Sequence, residues 1–220
     1  MEIHPIAYYH SIFTSNFGIP RQSGIIPDLK GQIVFEPEYR NDNYIRGLED
    51  YDYLWLIWEF SANKHKAVGA TVRPPRLGGN KRMGVFATRS PYRPNPLGLS
   101  SVKIHSFEHS ASYGTVIHVL GGDLKANTPI YDIKPYIEFT DSHINVNNGF
   151  IDTNQWQTLS VRFTDEALSK YSADLQHIIN EVLRNNPRPQ YQDDKDKIYT
   201  ITLGDENIHF KIVENDCYVL

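Results

Sequence analysis

Cysteine is nearly absent from this sequence of 220 residues, with Cys217 the only one. A single thiol excludes an internal disulfide and any metal site built on several cysteines. Lying in the C-terminal CYVL, it reads as a packed strand residue. Long apolar runs are also missing: the longest strongly apolar stretch, Leu54–Trp58, is far too short to cross a bilayer. The opening MEIHPIAYYHSIF lacks a basic leader and a small-residue cleavage site, so no signal peptide is expected. A cytoplasmic protein without membrane contact is the simplest reading.

Several catalytic signatures are absent too. There is no G-x-G-x-x-G, and the glycine-rich RPPRLGGNKRMG (73–84) lacks the G-K-[ST] of a Walker A. The serines near TRSPY lack the G-x-S-x-G context of a hydrolase elbow. None of the nine histidines falls in H-E-x-x-H, and they read as scattered polar residues. No βαβ alternation appears, which argues against a doubly wound sheet.

Acidic residues are missing from one long window, Phe60 to Phe107. It holds Lys64, Lys66, Arg73, Arg76, Lys81, Arg82, Arg89, Arg93 and Lys103, nine of the 22 basic residues. The window is therefore +9 in a chain of net charge −4, leaving −13 elsewhere. The net charge alone argues against nucleic acid; the distribution suggests a local footprint for an anionic partner.

The first 140 residues read as strands and loops. YLWLIWEF (53–60), MGVFAT (83–88), SSVKIHSF (100–107), GTVIHVLG (114–121) and DIKPYIEF (132–139) are the strand segments. In 100–107 the alternation puts Val102, Ile104 and Ser106 on one face. Pro135 places its segment at a strand start or sheet edge. Short strands with proline- and glycine-rich loops predict a barrel or a sandwich. Residues 141–157 read as an exposed loop. The spacing over 165–184 predicts one helix, capped by Thr164 and ended by Asn185, Asn186 and Pro187. KIYTITL, IHFKIV and CYVL then predict a three-stranded meander. The reading is mainly β, with a first domain over 1–145 and a small α+β domain over 158–220.

Three stretches look like site material. RSPYRPNPLG (89–98) is stiff and basic, and stiffness lowers the entropy lost on gripping a ligand. GIPRQSG (18–24) carries Arg21 and Gln22 between glycines, although in isolation a surface turn is the plainer reading. In 73–84, Gly78 and Gly79 let backbone amides approach an anion, with a structural hairpin equally consistent. In NTPIYDIKPY (127–136), Asn127 tolerates left-handed backbone and Asp132 is expected to pair with an arginine of the basic window.

GIPRQSG, IRGLEDYDYLWLIWEF, VRPPRLGG, MGVFATRSPYRPNPLGLS and TPIYDIKPY, in this order, resemble the TrmO/YaeB-like family, and NNPRPQY is similar to members with a second domain. The resemblance implies a tRNA methyltransferase that uses S-adenosylmethionine to methylate N6 of threonylcarbamoyladenosine 3′ to the anticodon. It implies a β-barrel catalytic domain, a homodimer and tRNA as partner; no DNA partner is expected, and the cysteine and histidine patterns predict no metal site. By motif position, cofactor contacts fall on Arg21, Gln22, Ser23, Ser61, Ala62, Arg89, Leu99, Leu124, Lys125, Ala126 and Asn127. Candidates for the tRNA surface are Arg73, Arg76, Lys81, Arg82, Arg93 and Asn95. Many relatives read Asp-Gly-Thr-Pro where this chain reads Ala126-Asn127-Thr128-Pro129, so the carboxylate of that motif is missing. The acceptor of the N6 proton is not identified, with Asp132 a weak candidate. The competing reading is a non-catalytic RNA-binding module that stacks bases on Trp55, Trp58 or Tyr92, although both tryptophans are expected to pack the core.

Overall fold

The computed structural model describes residues 2–62, 69–154, 157–188, 194 and 196–220. Lys64 and Lys66 lie outside the described residues. Contacts divide the chain into two compact units. One comprises Met1–Ile12, Arg21–Val68 and Arg89–Asn145; the other comprises Phe13–Pro20, Gly69–Thr88 and Val146–Leu220.

Among the described residues the first unit is built on six strands: β1 (Ala7–Ser11), β2 (Lys30–Phe35), β3 (Tyr53–Glu59), β4 (Leu97–Ser110), β5 (Gly114–Leu120) and β6 (Thr128–Pro135). They form a closed antiparallel barrel in the order β1-β2-β5-β4-β3-β6, with β6 returning to β1. Alternation drives the closure, since residues two apart share one face. Tyr9, Ile33, Phe35, Leu54, Leu56, Trp58, Val102, Ile117, Val119 and Ile130 fill the interior.

Three details differ from the sequence reading. β4 carries a bulge between Ile104 and Ser106, which turns Ser106 outward and sets Phe107 against the core. Pro135 closes β6 instead of opening a strand, and Glu138–Asp141 is a single helical turn. Trp58 is interior, but Trp55, one residue out of phase, is half-buried on the outer face and donates to Asp141 Oδ2 at 2.7 Å.

Among the described residues the main sheet of the second unit has four strands, not three: β7 (Ser160–Phe163), β8 (Ile198–Leu203), β9 (Glu206–Val213) and β10 (Asp216–Val219), in the order β8-β9-β10-β7. β7 lies parallel to β10, a partner too distant in sequence for the local pattern to reveal. The expected single helix is two, α1 (Asp165–Lys170) and α2 (Ala173–Arg184). Thr164 caps the first, while Ser172 takes extended backbone and caps the second by accepting from Leu175 N. Phe13 and Phe17, from the N-terminal stretch, complete this core. Phe13 bridges Leu203, and Phe17 stacks 6.4 Å from Phe210. Gly18 adopts φ +97° with Ile201 Cγ2 3.2 Å from where a Cβ would stand. Cys217 is fully buried on β10, and burial pushes its thiol up to about 12.

Also in this unit, Thr71–Val72 pairs with Met83–Gly84 and closes a hairpin over RPPRLGGNKR. Gly78 and Gly79 are left-handed there, at φ +69° and +73°. Among the described residues no helix is long and apolar enough to cross a membrane.

Candidate active site

Strand directions determine where the chain leaves the barrel. β1, β3 and β5 end, and β2, β4 and β6 begin, at the same end. The connections 12–29, 60–96 and 121–127 therefore all emerge there. They contain every cofactor residue expected from sequence except Leu99, which lies on β4.

Within the barrel unit these segments are tied together. Gly24 N donates to Gly121 O at 2.8 Å. Arg89 Nη1 donates to Gln22 Oε1, and Gln22 Nε2 donates to Arg21 O. Phe60 N donates to Pro96 O at 2.8 Å, joining the start of Phe60-Ser61-Ala62 to the proline-rich loop. That loop is stiffened by its own bonds: Ser90 Oγ accepts from Tyr92 N, and Leu97 N donates to Asn95 O at 2.7 Å. Asn127 has φ +63°, the left-handed backbone expected of it, and its N–H donates to Tyr9 O at 2.8 Å.

The cofactor candidates differ in what they present. Arg21, Ser61, Ala62, Arg89 and Asn127 are exposed; Gln22, Ser23, Lys125 and Ala126 are half-buried. Leu124 packs its side chain in the barrel core, and its carbonyl accepts from Ser11 Oγ at 2.9 Å. Leu99 is exposed on the outer face of β4, opposite in phase to Ser100.

The RNA candidates fall in both units. Arg93 and Asn95 belong to the barrel unit; Arg73, Arg76, Lys81 and Arg82 belong to the hairpin of the second. Arg82 Nη1 donates to Thr71 Oγ1 at 2.9 Å. Sequence reasoning passed over Phe86, which follows this hairpin and is 79 % exposed beside the buried Val85. Asp132 pairs with Lys134 at 3.0 Å, not with an arginine of the basic window, and its Oδ1 accepts from Ile133 N.

The sequence reading also missed a polar chain that runs from the barrel core to the half-buried Asp123. Trp58 Nε1 donates to Ser100 Oγ at 2.9 Å, and Ser100 Oγ donates to Asp123 Oδ1 at 2.6 Å. The Ser23 amide and the charge of Arg89 also act on the Asp123 carboxyl. Burial raises its carboxyl above the usual range, against the lowering effects of Ser100, its own amide, Arg89 and Ser23. Tyr9 stands close by. Its ring occupies the space over Gly31 and Gly122, where a Cβ would meet its hydroxyl at 1.9 and 2.0 Å. That hydroxyl is buried without a hydrogen-bond partner among the described residues. Burial, and then the Asp123 charge, hold the phenol far above its ordinary range. A signal for this chain was present: Ser100 shares its phase with Val102, and a serine in an inward position needs a polar partner.

The family model of the tRNA-methyltransferase O N-terminal domain matches residues 8–142, and that of the TrmO C-terminal domain matches 156–220. The chain belongs to the TrmO family. The tRNA (adenine(37)-N6)-methyltransferase of Escherichia coli K12 is 35% identical to it, over 97% of this chain and 94% of its own length. A Pyrococcus abyssi protein named "probable S-adenosyl-L-methionine-binding protein" is 32% identical, over 68% of this chain and 76% of its own. A crystal structure of TrmO from Pseudomonas aeruginosa superposes with a TM-score of 0.79 at 26% identity, covering 100% of this chain and 97% of that one. The closed barrel is thus the TrmO fold.

The donor set suits a zwitterionic nucleoside ligand. Exposed guanidinium groups at Arg21 and Arg89 suit a carboxylate. Main-chain groups of 124–127 suit base and ribose edges. Asp123 supplies a carboxylate in the same segment, three residues before position 126. A depression of about 360 Å³ lined by Asp42, Asn43, Ile45, Arg46, Glu49, Phe107 and Thr115 gathers none of these residues.

Proposed function

We propose that this chain methylates N6 of adenosine 37 in tRNA with S-adenosylmethionine, and that the adenosine carries a threonylcarbamoyl group. The observation that supports this most directly is the convergence of 21–24, Arg89 and 121–127 at one barrel end in a chain of the TrmO family. When bound, the cofactor supplies an electrophilic methyl on a sulfonium. The residues of this chain have to align it. Arg89, oriented by Gln22, or Arg21 takes the amino-acid carboxylate; Ser23, Ser61, Ala62 and Leu99 complete the contacts. Leu124, Lys125, Ala126 and Asn127 contribute through their backbone. Holding nucleophile and methyl in line accounts for a large share of the rate gain open to such a displacement.

On the same reading, Arg93 and Asn95 face the RNA from the barrel unit. Arg73, Arg76, Lys81 and Arg82 supply phosphate contacts, and Phe86 supplies a stacking surface beside them. We assign residues 1–145 to the cofactor-binding methyltransferase domain, of which 13–20 and 69–88 group with the second compact unit, and 158–220 to a small C-terminal domain, in a cytoplasmic homodimer.

Calorimetry with S-adenosylmethionine, followed by mass spectrometry of nucleosides from tRNA incubated with protein and cofactor, tests the reading. Saturable binding and a methyl gained on threonylcarbamoyladenosine are expected. RNA binding without cofactor binding would replace the enzyme with an RNA-binding module. Methylation of unmodified adenosine at an equal rate would remove the threonylcarbamoyl requirement. Light scattering tests the dimer.

A further inference from the structure

Asp123 lies at a junction of segments within the barrel unit. It accepts from Ser100 on β4, and the Ser23 amide and Arg89, itself bound to Gln22, bear on its charge; two residues before it Gly121 accepts from Gly24 N. Ser100 is 1 % exposed and is fixed from behind by Trp58 of β3. Main-chain bonds run in parallel, from Gly24 to Gly121 and from Asn127 to Tyr9. The carboxylate thus sits where three separate stretches of chain meet, anchored from the barrel interior. A ligand that contacts backbone of 21–23 and 124–127 depends on that meeting point being rigid.

We propose that Asp123 is a positioning residue whose carboxylate clasps 21–24, Arg89 and 121–127 into the arrangement that receives the cofactor. This rests on the cofactor reading above. The clasp works through charge. Ionised, it accepts from Ser100 and attracts Arg89 and the Ser23 amide; protonated, it loses that attraction and part of its accepting capacity. The groups facing it are Tyr9 from β1, Ser100 from β4 with Trp58 of β3 behind it, the Ser23 amide and Arg89. Its desolvated site shifts proton uptake above the ordinary carboxylate range. Lowering the pH therefore loosens the clasp before ordinary exposed carboxylates titrate.

Two measurements on the full chain test this. The first is hydrogen exchange of 21–24 in the ligand-free protein, for wild type, Asp123→Asn and Ser100→Ala. Thermal melting checks that each variant folds. Exchange of the Ser23 amide should rise about tenfold in Asp123→Asn and by less in Ser100→Ala. The second is calorimetry with S-adenosylhomocysteine from neutral to mildly acidic pH. Wild-type affinity should fall as the pH is lowered. Asp123→Asn should bind about tenfold more weakly at neutral pH, with a flatter pH dependence. Unchanged exchange and unchanged affinity in a folded Asp123→Asn overturn the proposal. Weaker binding with unchanged exchange also overturns it, because Asp123 would then contact the ligand directly. A wild-type protein that binds no ligand, yet shows the exchange effect, refutes the cofactor reading and leaves the clasp standing.

Discussion

The indole of Trp58 rests on the bare backbone of Gly98, so closely that a Cβ on Gly98 would stand 2.3 Å from Cε2. Trp58 is also the first donor of the Trp58–Ser100–Asp123 chain. Gly98→Ala should therefore displace the ring and disturb the polar chain together. Overpacking of this kind costs about 1–3 kcal/mol. Urea denaturation should show a loss in that range, accompanied by a changed Trp58 environment in near-ultraviolet circular dichroism. A wild-type spectrum and midpoint would refute the packing argument.

Arg89 and Gln22 form a side-chain bond between two of the cofactor segments. Arg89→Ala removes a planar fork of donors, whereas Arg89→Lys leaves a point charge. Charge-assisted hydrogen bonds contribute about 1.5–3 kcal/mol, so the alanine variant should bind S-adenosylmethionine roughly tenfold or more weakly. The lysine variant should lose less. Calorimetry on folded protein reads both, and equal affinities across the series would remove Arg89 from the site.

Lys81, Arg82 and Phe86 should separate two kinds of RNA contact. Removing both charges with Lys81→Ala and Arg82→Ala should lower the slope of log affinity against log salt by about 1.5. Phe86→Ala should weaken tRNA binding by the 1–3 kcal/mol of a stacked base, roughly five- to a hundredfold, and leave the slope alone. Filter binding across a salt series distinguishes them. A Phe86 variant with wild-type affinity would return that ring to an ordinary exposed side chain.

Asp141 has its carboxyl held below the usual range by the Ile137 amide and then by the Trp55 indole. A lowered folded-state pKa means that the stabilising contribution is present above the unfolded value, near 3.9. It is lost as pH falls through the lower folded value. Trp55 emission should change in a step below the ordinary aspartate range. Asp141→Ala should lack that step, and its persistence would assign it to another carboxyl.

Much of the barrel was legible because a strand with one buried face writes its period into the sequence, as Leu54, Leu56 and Trp58 do. What escaped depends on distant neighbours. The bulge after Ile104 is set by the register with β5, and β7 acquires strand identity only beside β10. The helix break at Ser172 was locally visible, since Ser172 repeats the capping role of Thr164. Motif position pointed to the segments at the candidate site but not to Asp123. Attention to the missing acid at 126 passed over the carboxylate three residues earlier, whose significance lies in meeting Ser100 of another strand.

The ladder that closes the barrel pairs Ala7 with Ile130, the most distant partners in the barrel's sequence. Hairpins such as β4–β5 form locally and fast, whereas ordering so long a loop carries a larger entropic cost. The Asn127-to-Tyr9 and Ser11-to-Leu124 bonds both span this closure, joining the β1 strand to the 121–127 connection. Ligand competence should thus be a late event in refolding. A fluorescent nucleoside analogue should report it only after most β-sheet signal has returned, and excess ligand should slow unfolding more than it speeds folding.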